Sequence, residues 1–147
     1  MTPDKRLFAV VGIVFILFSS TVSSDNKTVA PEFIEGAVIV SAEELIKLVY
    51  SNADLLIVDS RKQSEFLKGH IEGAVNIVDT EITRELLQGK LSSQSTAVLF
   101  YCNGPRCMRS SNSIEKALAW GYRNIFWFRG GWQEWSSKKL PVVLGDQ

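Results

Sequence analysis

The sequence is poor in soft metal ligands: it has one histidine and two cysteines in 147 residues. His70 alone cannot build a histidine-rich metal site. Two cysteines are too few for a disulfide framework. There is no excess of either charge, since 16 Lys and Arg face 16 Asp and Glu. A neutral chain has no basic field to draw nucleic acid, and no Lys/Arg cluster reads as a lipid-binding patch. No apolar run reaches the ~20 residues that span a bilayer. No internal repeat with a period of about 20–50 residues is present. What remains is 46% hydrophobic and 22% charged residues, enough for one ordinary domain.

The amino terminus has three parts. Lys5 and Arg6 precede Leu7–Phe18, an unbroken apolar run of 12 residues. Small and polar residues follow, and Val22 and Ser24 fit the −3 and −1 positions of a cleavage site. Residues 1–24 are therefore expected to be a secretory signal peptide, with an uncleaved membrane anchor as the alternative. The expected location is the periplasm, or the inner membrane if the leader stays attached. Removing Lys5, Arg6 and Asp4 leaves 14 basic and 15 acidic residues. The compartment is oxidising, which bears on both cysteines. Residues 25–36 are polar, contain Pro31 and read as a linker; the sequon at Asn26–Thr28 is taken as chance.

From residue 37 to 147 the pattern alternates between strand and helix. Ala37–Val40 is a short strand. Ser41 and Glu44 form a capping box for a helix with Ala42, Leu45, Ile46 and Val49 on one face. Leu55–Val58, four apolar residues in a row, suggests a strand buried on both faces. It ends in Asp59-Ser60-Arg61, at the strand end where open α/β sheets place ligands. Ser64–Lys68 is a short helix stopped by Gly69, and Val75–Ile77 a third strand. Asp79 or Thr80 caps a helix running to Leu87, with Gly89 just past it. Ala97–Tyr101 is the fourth strand. A helix from about Ser110 ends at Trp120 with Gly121 at C′, and Ile125–Phe128 is the fifth strand. Gly130-Gly131 turns the chain into a last helical turn, Trp132–Ser136. The class is α/β with a mainly parallel sheet.

Cys102 is the candidate nucleophile. It stands at a strand end, before a turn and a helix N-terminus, where backbone N–H groups and the helix dipole favour a thiolate. Arg106 and Arg109 add positive charge and suit an anionic substrate. The competing reading is a buried structural thiol.

Two segments in order resemble the rhodanese-like domain family. The first is Asp59-Ser60-Arg61, Glu65-Phe66 and Gly69-His70-Ile71-Glu72-Gly73-Ala74-Val75-Asn76-Ile77. The second is Tyr101-Cys102, Arg109-Ser110, Gly121-Tyr122 and Gly130-Gly131 with Trp132 and Trp135. The resemblance covers about Val38 to Val142. It implies a central, mostly parallel five-stranded sheet with helices on both faces, and a sulfurtransferase without cofactor or metal. Cys102 would take a sulfane sulfur from a small anionic donor such as thiosulfate, hold it as a persulfide, and pass it to cyanide or a thiol. The loop residues Asn103, Gly104, Arg106, Cys107, Met108 and Arg109 would bind substrate.

The usual cradle of that family has six residues and closes with an arginine. Here the loop is eight residues long if Arg109 closes it, and shorter than usual if Arg106 does. Cradle size separates sulfur-handling members from phosphate- and arsenate-handling relatives. Three readings of Cys107 stand open: an inert neighbour, a disulfide partner of Cys102, or a resolver of a persulfide or sulfenate formed there. A thiol redox module and a non-catalytic binding module are the alternatives to sulfur transfer. Asp59 and Arg61 are expected to pair or cap local backbone, with buttressing of the cradle as the functional alternative. His70 is expected to bond within its turn, and Trp127, Phe128, Trp132 and Trp135 to pack in the core and rim.

Overall fold

The computed structural model describes residues 29–145. The leader and the sequon lie outside the described residues. Five strands form one sheet: β1 (Ala37–Ile39), β2 (Leu56–Asp59), β3 (Ala74–Asn76), β4 (Val98–Tyr101) and β5 (Ile125–Phe128). Their order is β1-β5-β4-β2-β3, and every pairing is parallel. The helices are α1 (Ala42–Ser51), α2 (Gln63–Phe66), α3 (Arg84–Lys90), α4 (Met108–Ala119) and α5 (Gly131–Ser137).

The two faces of the sheet are read off the central strands by alternation. Val58, Val98, Phe100, Ile125 and Trp127 enter one core with Leu87 of α3 and Ile114 and Ala117 of α4. Ile57, Leu99, Tyr101 and Phe128 enter the other with Ala42 and Leu45 of α1 and Trp135 of α5. Every residue of β4 is fully buried, as a strand covered on both sides requires. Helices on both faces are what the family resemblance implied.

Local signals set several boundaries. The Ser41–Glu44 capping box forms, with the Ser41 N–H donating to Glu44 at 2.8 Å. Gly121 has φ +99°, and the N–H groups of Gly121 and Tyr122 return to Leu118 and Ala117, closing α4. Other expectations are corrected. Helix α3 starts at Thr83, whose hydroxyl accepts from Leu86 N–H, rather than at Asp79 or Thr80. It runs to Lys90, so Gly89 lies inside it. Helix α4 begins at Met108, two residues before Ser110. The described part of the expected linker is packed: Ala30 and Ile34 are buried in the core, and Arg129 donates to the Pro31 carbonyl at 2.9 Å.

Phe100 is the centre of this arrangement, fully buried on the middle strand. Phe100→Ala is expected to cost about 3–5 kcal/mol, as lost transfer energy plus a cavity. Urea unfolding at unchanged m-value measures it.

Candidate active site

Parallel strands bring the carboxyl ends of β2 and β4 side by side, with Asp59 opposite Tyr101 in register. The polar cluster after β2 and the cysteine after β4 therefore share one end of the sheet. Because α4 starts at Met108 with Cys107 as its N-cap, the loop is Cys102–Cys107, six residues long. It is neither enlarged nor shortened, and the residue that closes it is Cys107, not Arg106 or Arg109. The case for a phosphate- or arsenate-handling loop, which rested on length, goes with that correction.

Cys102 and Cys107 form a disulfide, with Cα atoms 6.1 Å apart. Cys102 is 1% exposed, whereas Cys107 is only partly covered. In this oxidised form Cys102, the candidate nucleophile, is shut away, and Cys107 is the more exposed residue of the pair.

The loop is held by α5. The N–H of Trp132 donates to the Cys102 carbonyl at 2.8 Å, and that of Gln133 to the Asn103 carbonyl at 2.8 Å. Gly131, at φ +55°, makes the approach possible, since a Cβ there would overlap the Cys102 carbonyl oxygen. The N–H groups of Asn103, Gly104 and Arg106 have no acceptor among the described residues. Pro105 supplies no N–H. The Cys107 N–H is used internally, donating to the Gly104 carbonyl at 3.0 Å. The 12-residue α4 aims its N-terminus at the same place, and its small buried residues Ser110, Ser111 and Ser113 let it lie close to the sheet.

Beneath the loop is a buried polar network. Arg61 donates through Nε and Nη2 to Asp59, the Nη2–Oδ2 distance being 2.6 Å, and Nη2 also donates to the Gly69 carbonyl at 2.7 Å. The two side chains are 2% and 0% exposed. The Tyr101 hydroxyl donates to Asp59 at 2.6 Å and accepts from the Ile71 N–H at 3.3 Å. Burial, then the neighbouring Asp59 charge, drive the Tyr101 phenol far above its ordinary pKa. Burial pulls the Arg61 guanidinium down, but its bonds to Asp59 outweigh this and leave it raised. Arg61 also lies 4.2 Å from the Trp132 ring centroid, under the residue whose N–H holds Cys102. Asp59 and Arg61 thus do pair, and the pair buttresses the loop through Trp132. His70 bonds inside its turn, with Nδ1 3.1 Å from the Phe66 carbonyl and the ring stacked on Phe66.

The expected substrate-binding residues divide. Asn103 and Gly104 sit in the loop. Arg106 is also in the loop and is exposed. Met108 packs its side chain against the core and offers the site only its N–H. Arg109 lies in the first turn of α4, 3.7 Å from Glu65. Glu65 stands in the first motif without an expected role in the site. It accepts from Asn103 Nδ2 at 2.9 Å and from the Lys62 N–H at 3.2 Å. Burial lifts its pKa, but the Asn103 and Lys62 bonds and the Arg109 charge prevail and hold it below the carboxylate range. Its presence in the segment before Gly69 was the available signal; its partner Asn103 lies 38 positions on.

Comparison with known proteins follows the same outline. The family model of the rhodanese-like domain matches residues 41–138. The Escherichia coli (strain K12) protein YibN is 28% identical over 109 residues, 73% of each chain. A putative mitochondrial thiosulfate sulfurtransferase of Schizosaccharomyces pombe is 25% identical, over 83% of this chain and 97% of that protein. The crystal structure of a thiosulfate sulfurtransferase from Pseudomonas aeruginosa superposes with a TM-score of 0.65 at 22% identity, over 76% of this chain and 21% of that one.

Two substitutions test the buttress. Asp59→Asn leaves Arg61 buried without a counter-charge and is expected to cost about 3–5 kcal/mol in urea unfolding; a loss below about 1 kcal/mol would remove the pair from any supporting role. Gly131→Ala is to be compared with Gly73→Ala, which has a similar positive φ, +77°, but open space around it. Both lose about 1 kcal/mol or more to backbone strain. Gly131→Ala alone is expected to change the alkylation rate of reduced Cys102.

Proposed function

The chain belongs to the rhodanese-like domain family, and we propose that it is an exported sulfurtransferase acting through a persulfide on Cys102. The observation that carries this reading is the six-residue loop at the end of β4. There the N–H groups of Asn103, Gly104 and Arg106 have no acceptor among the described residues, and Cys107 beside them is the N-cap of α4. A thiol of ordinary pKa ~8.5 is mostly protonated at neutral pH, and such surroundings lower it toward ~3.5–7.5. The thiolate then attacks the sulfane sulfur of thiosulfate, sulfite leaves with the electron pair of the broken S–S bond, and the outer sulfur stays on Cys102. Cyanide or a thiolate removes it in the second half-reaction. No general base is needed, which fits a His70 committed to its own turn.

The disulfide favours a second reading, a thiol redox module on the same fold. The leader at residues 1–24 and its oxidising destination fit either. Under both, reduction of Cys102–Cys107 precedes activity.

Reduced protein with thiosulfate and cyanide is expected to form thiocyanate, and Cys102→Ser to lower it to background. Failure of thiosulfate, polysulfide and other sulfane donors to add sulfur to the reduced protein would overturn the sulfurtransferase reading. A reversible two-electron titration without any sulfur uptake would favour the redox module.

A further inference from the structure

We propose that Cys107 is a resolving cysteine, which converts the Cys102 persulfide into free sulfide and the Cys102–Cys107 disulfide. This makes the protein a dithiol-driven reductase of sulfane sulfur. The inference rests on the persulfide reading above and adds a second activity at the same site.

Position is the first argument. Cys107 is the last residue of the loop and the N-cap of α4. The group that faces an incoming sulfur across the loop is therefore a thiol. Neither arginine takes that position: Arg106 precedes it and is exposed, and Arg109 lies beside Glu65. A thiolate at the N-terminus of a 12-residue helix is stabilised by the free N–H groups and the dipole there. Proximity is the second argument. The disulfide joins residues five positions apart with Cα atoms 6.1 Å apart, so the two sulfurs meet within one loop. The observed disulfide is the product state of the resolving step.

Cys102 thiolate takes the outer sulfur of thiosulfate, and sulfite leaves with the electron pair of the broken bond. Cys107 thiolate then attacks the Sγ of Cys102. The bond from that Sγ to the sulfane sulfur breaks, and the sulfur leaves with its electron pair and takes up a proton as hydrosulfide. Two cysteines are oxidised and the sulfane sulfur is reduced by two electrons. An external dithiol restores the pair by exchange and becomes a disulfide itself. Accessibility sets the direction of that exchange. Cys107 is a half-buried residue, whereas Cys102 is 1% exposed. The reductant therefore attacks Cys107 and expels Cys102 as a thiolate into the N–H groups of its own loop, ready for the next donor.

The test is a single turnover without oxygen, on protein reduced and then freed of reductant. Thiosulfate is added, sulfide is measured colorimetrically, and intact mass is recorded. Wild type is expected to release about one sulfide per chain and to end as the disulfide, with no lasting gain of sulfur. Cys107→Ser is expected to keep a gain of about 32 Da and to release no sulfide until a thiol is added. Cys107→Ala is run beside it, with circular dichroism on both, so that a misfolded variant does not decide the matter. Wild type that holds the extra sulfur, or a Cys107 variant that releases sulfide as wild type does, overturns this inference and leaves sulfur transfer standing. Absence of both sulfur gain and sulfide in wild type and variants overturns the persulfide reading itself.

Discussion

The cysteine loop is held from outside itself, and that anchorage is what the rest of the site depends on. A tight loop cannot pair all of its own backbone groups, and the carbonyls left over need partners elsewhere. Trp132 and Gln133, at the start of α5, supply them for Cys102 and Asn103. The same contact is tied from below. Tyr101, which precedes Cys102, hydrogen-bonds Asp59; Asp59 pairs with Arg61; Arg61 lies under Trp132; and Trp132 returns to Cys102. The ring of contacts thus holds the side chain before Cys102 and the carbonyl of Cys102 itself.

A buried ion pair is weak evidence for stability, because desolvation offsets much of its attraction. Here its value is positional. Arg61 is fixed by Asp59, the Gly69 carbonyl and the Trp132 ring, and Asp59 takes hydrogen bonds from both Arg61 and Tyr101. Every buried side-chain nitrogen and oxygen among the described residues has a partner. A fully satisfied network of this kind has one arrangement, and it transmits that arrangement to the loop. This is also why Asp59 is no candidate base: its carboxylate is occupied on both oxygens, away from the sulfur.

What was legible in the sequence was local. The Ser41–Glu44 box, the glycine after α4 and the apolar run of β2 each depend on residues within a turn of one another, and each forms. Cys102 at a strand end was legible for the same reason. The closing residue of the loop was not. Helix α4 starts at a cysteine that makes no side-chain cap, so nothing local marks the boundary, and two arginines competed for the role. Thr83 won over Thr80 as a cap for α3 by a choice that local propensity does not make. Ala30 and Ile34 looked like isolated apolar residues in a polar stretch; their burial depends on a core built from residues up to 97 positions away. Glu65 gained its meaning only from Asn103, across the site.

The substitution that matters most to function is the replacement of a cation by a thiol at the end of the loop. An arginine there would hold a persulfide by charge and leave its sulfur for an outside acceptor to collect. A cysteine there can form a bond to the same sulfur centre, so the intermediate has an exit within the loop. The two designs also differ in what they need from their surroundings. A cation-closed loop is ready whenever donor is present. A thiol-closed loop is ready only after reduction, because its resting form in an oxidising compartment is the disulfide. Activity is then governed by the supply of dithiol as well as of sulfur. The export proposed for this chain makes that coupling severe, since the cytosolic thiol pool lies on the other side of the membrane. A half-buried Cys107 beside a buried Cys102 suits such coupling: the more exposed residue of the pair is the one placed to meet a reductant, and the proposed nucleophile stays covered until then.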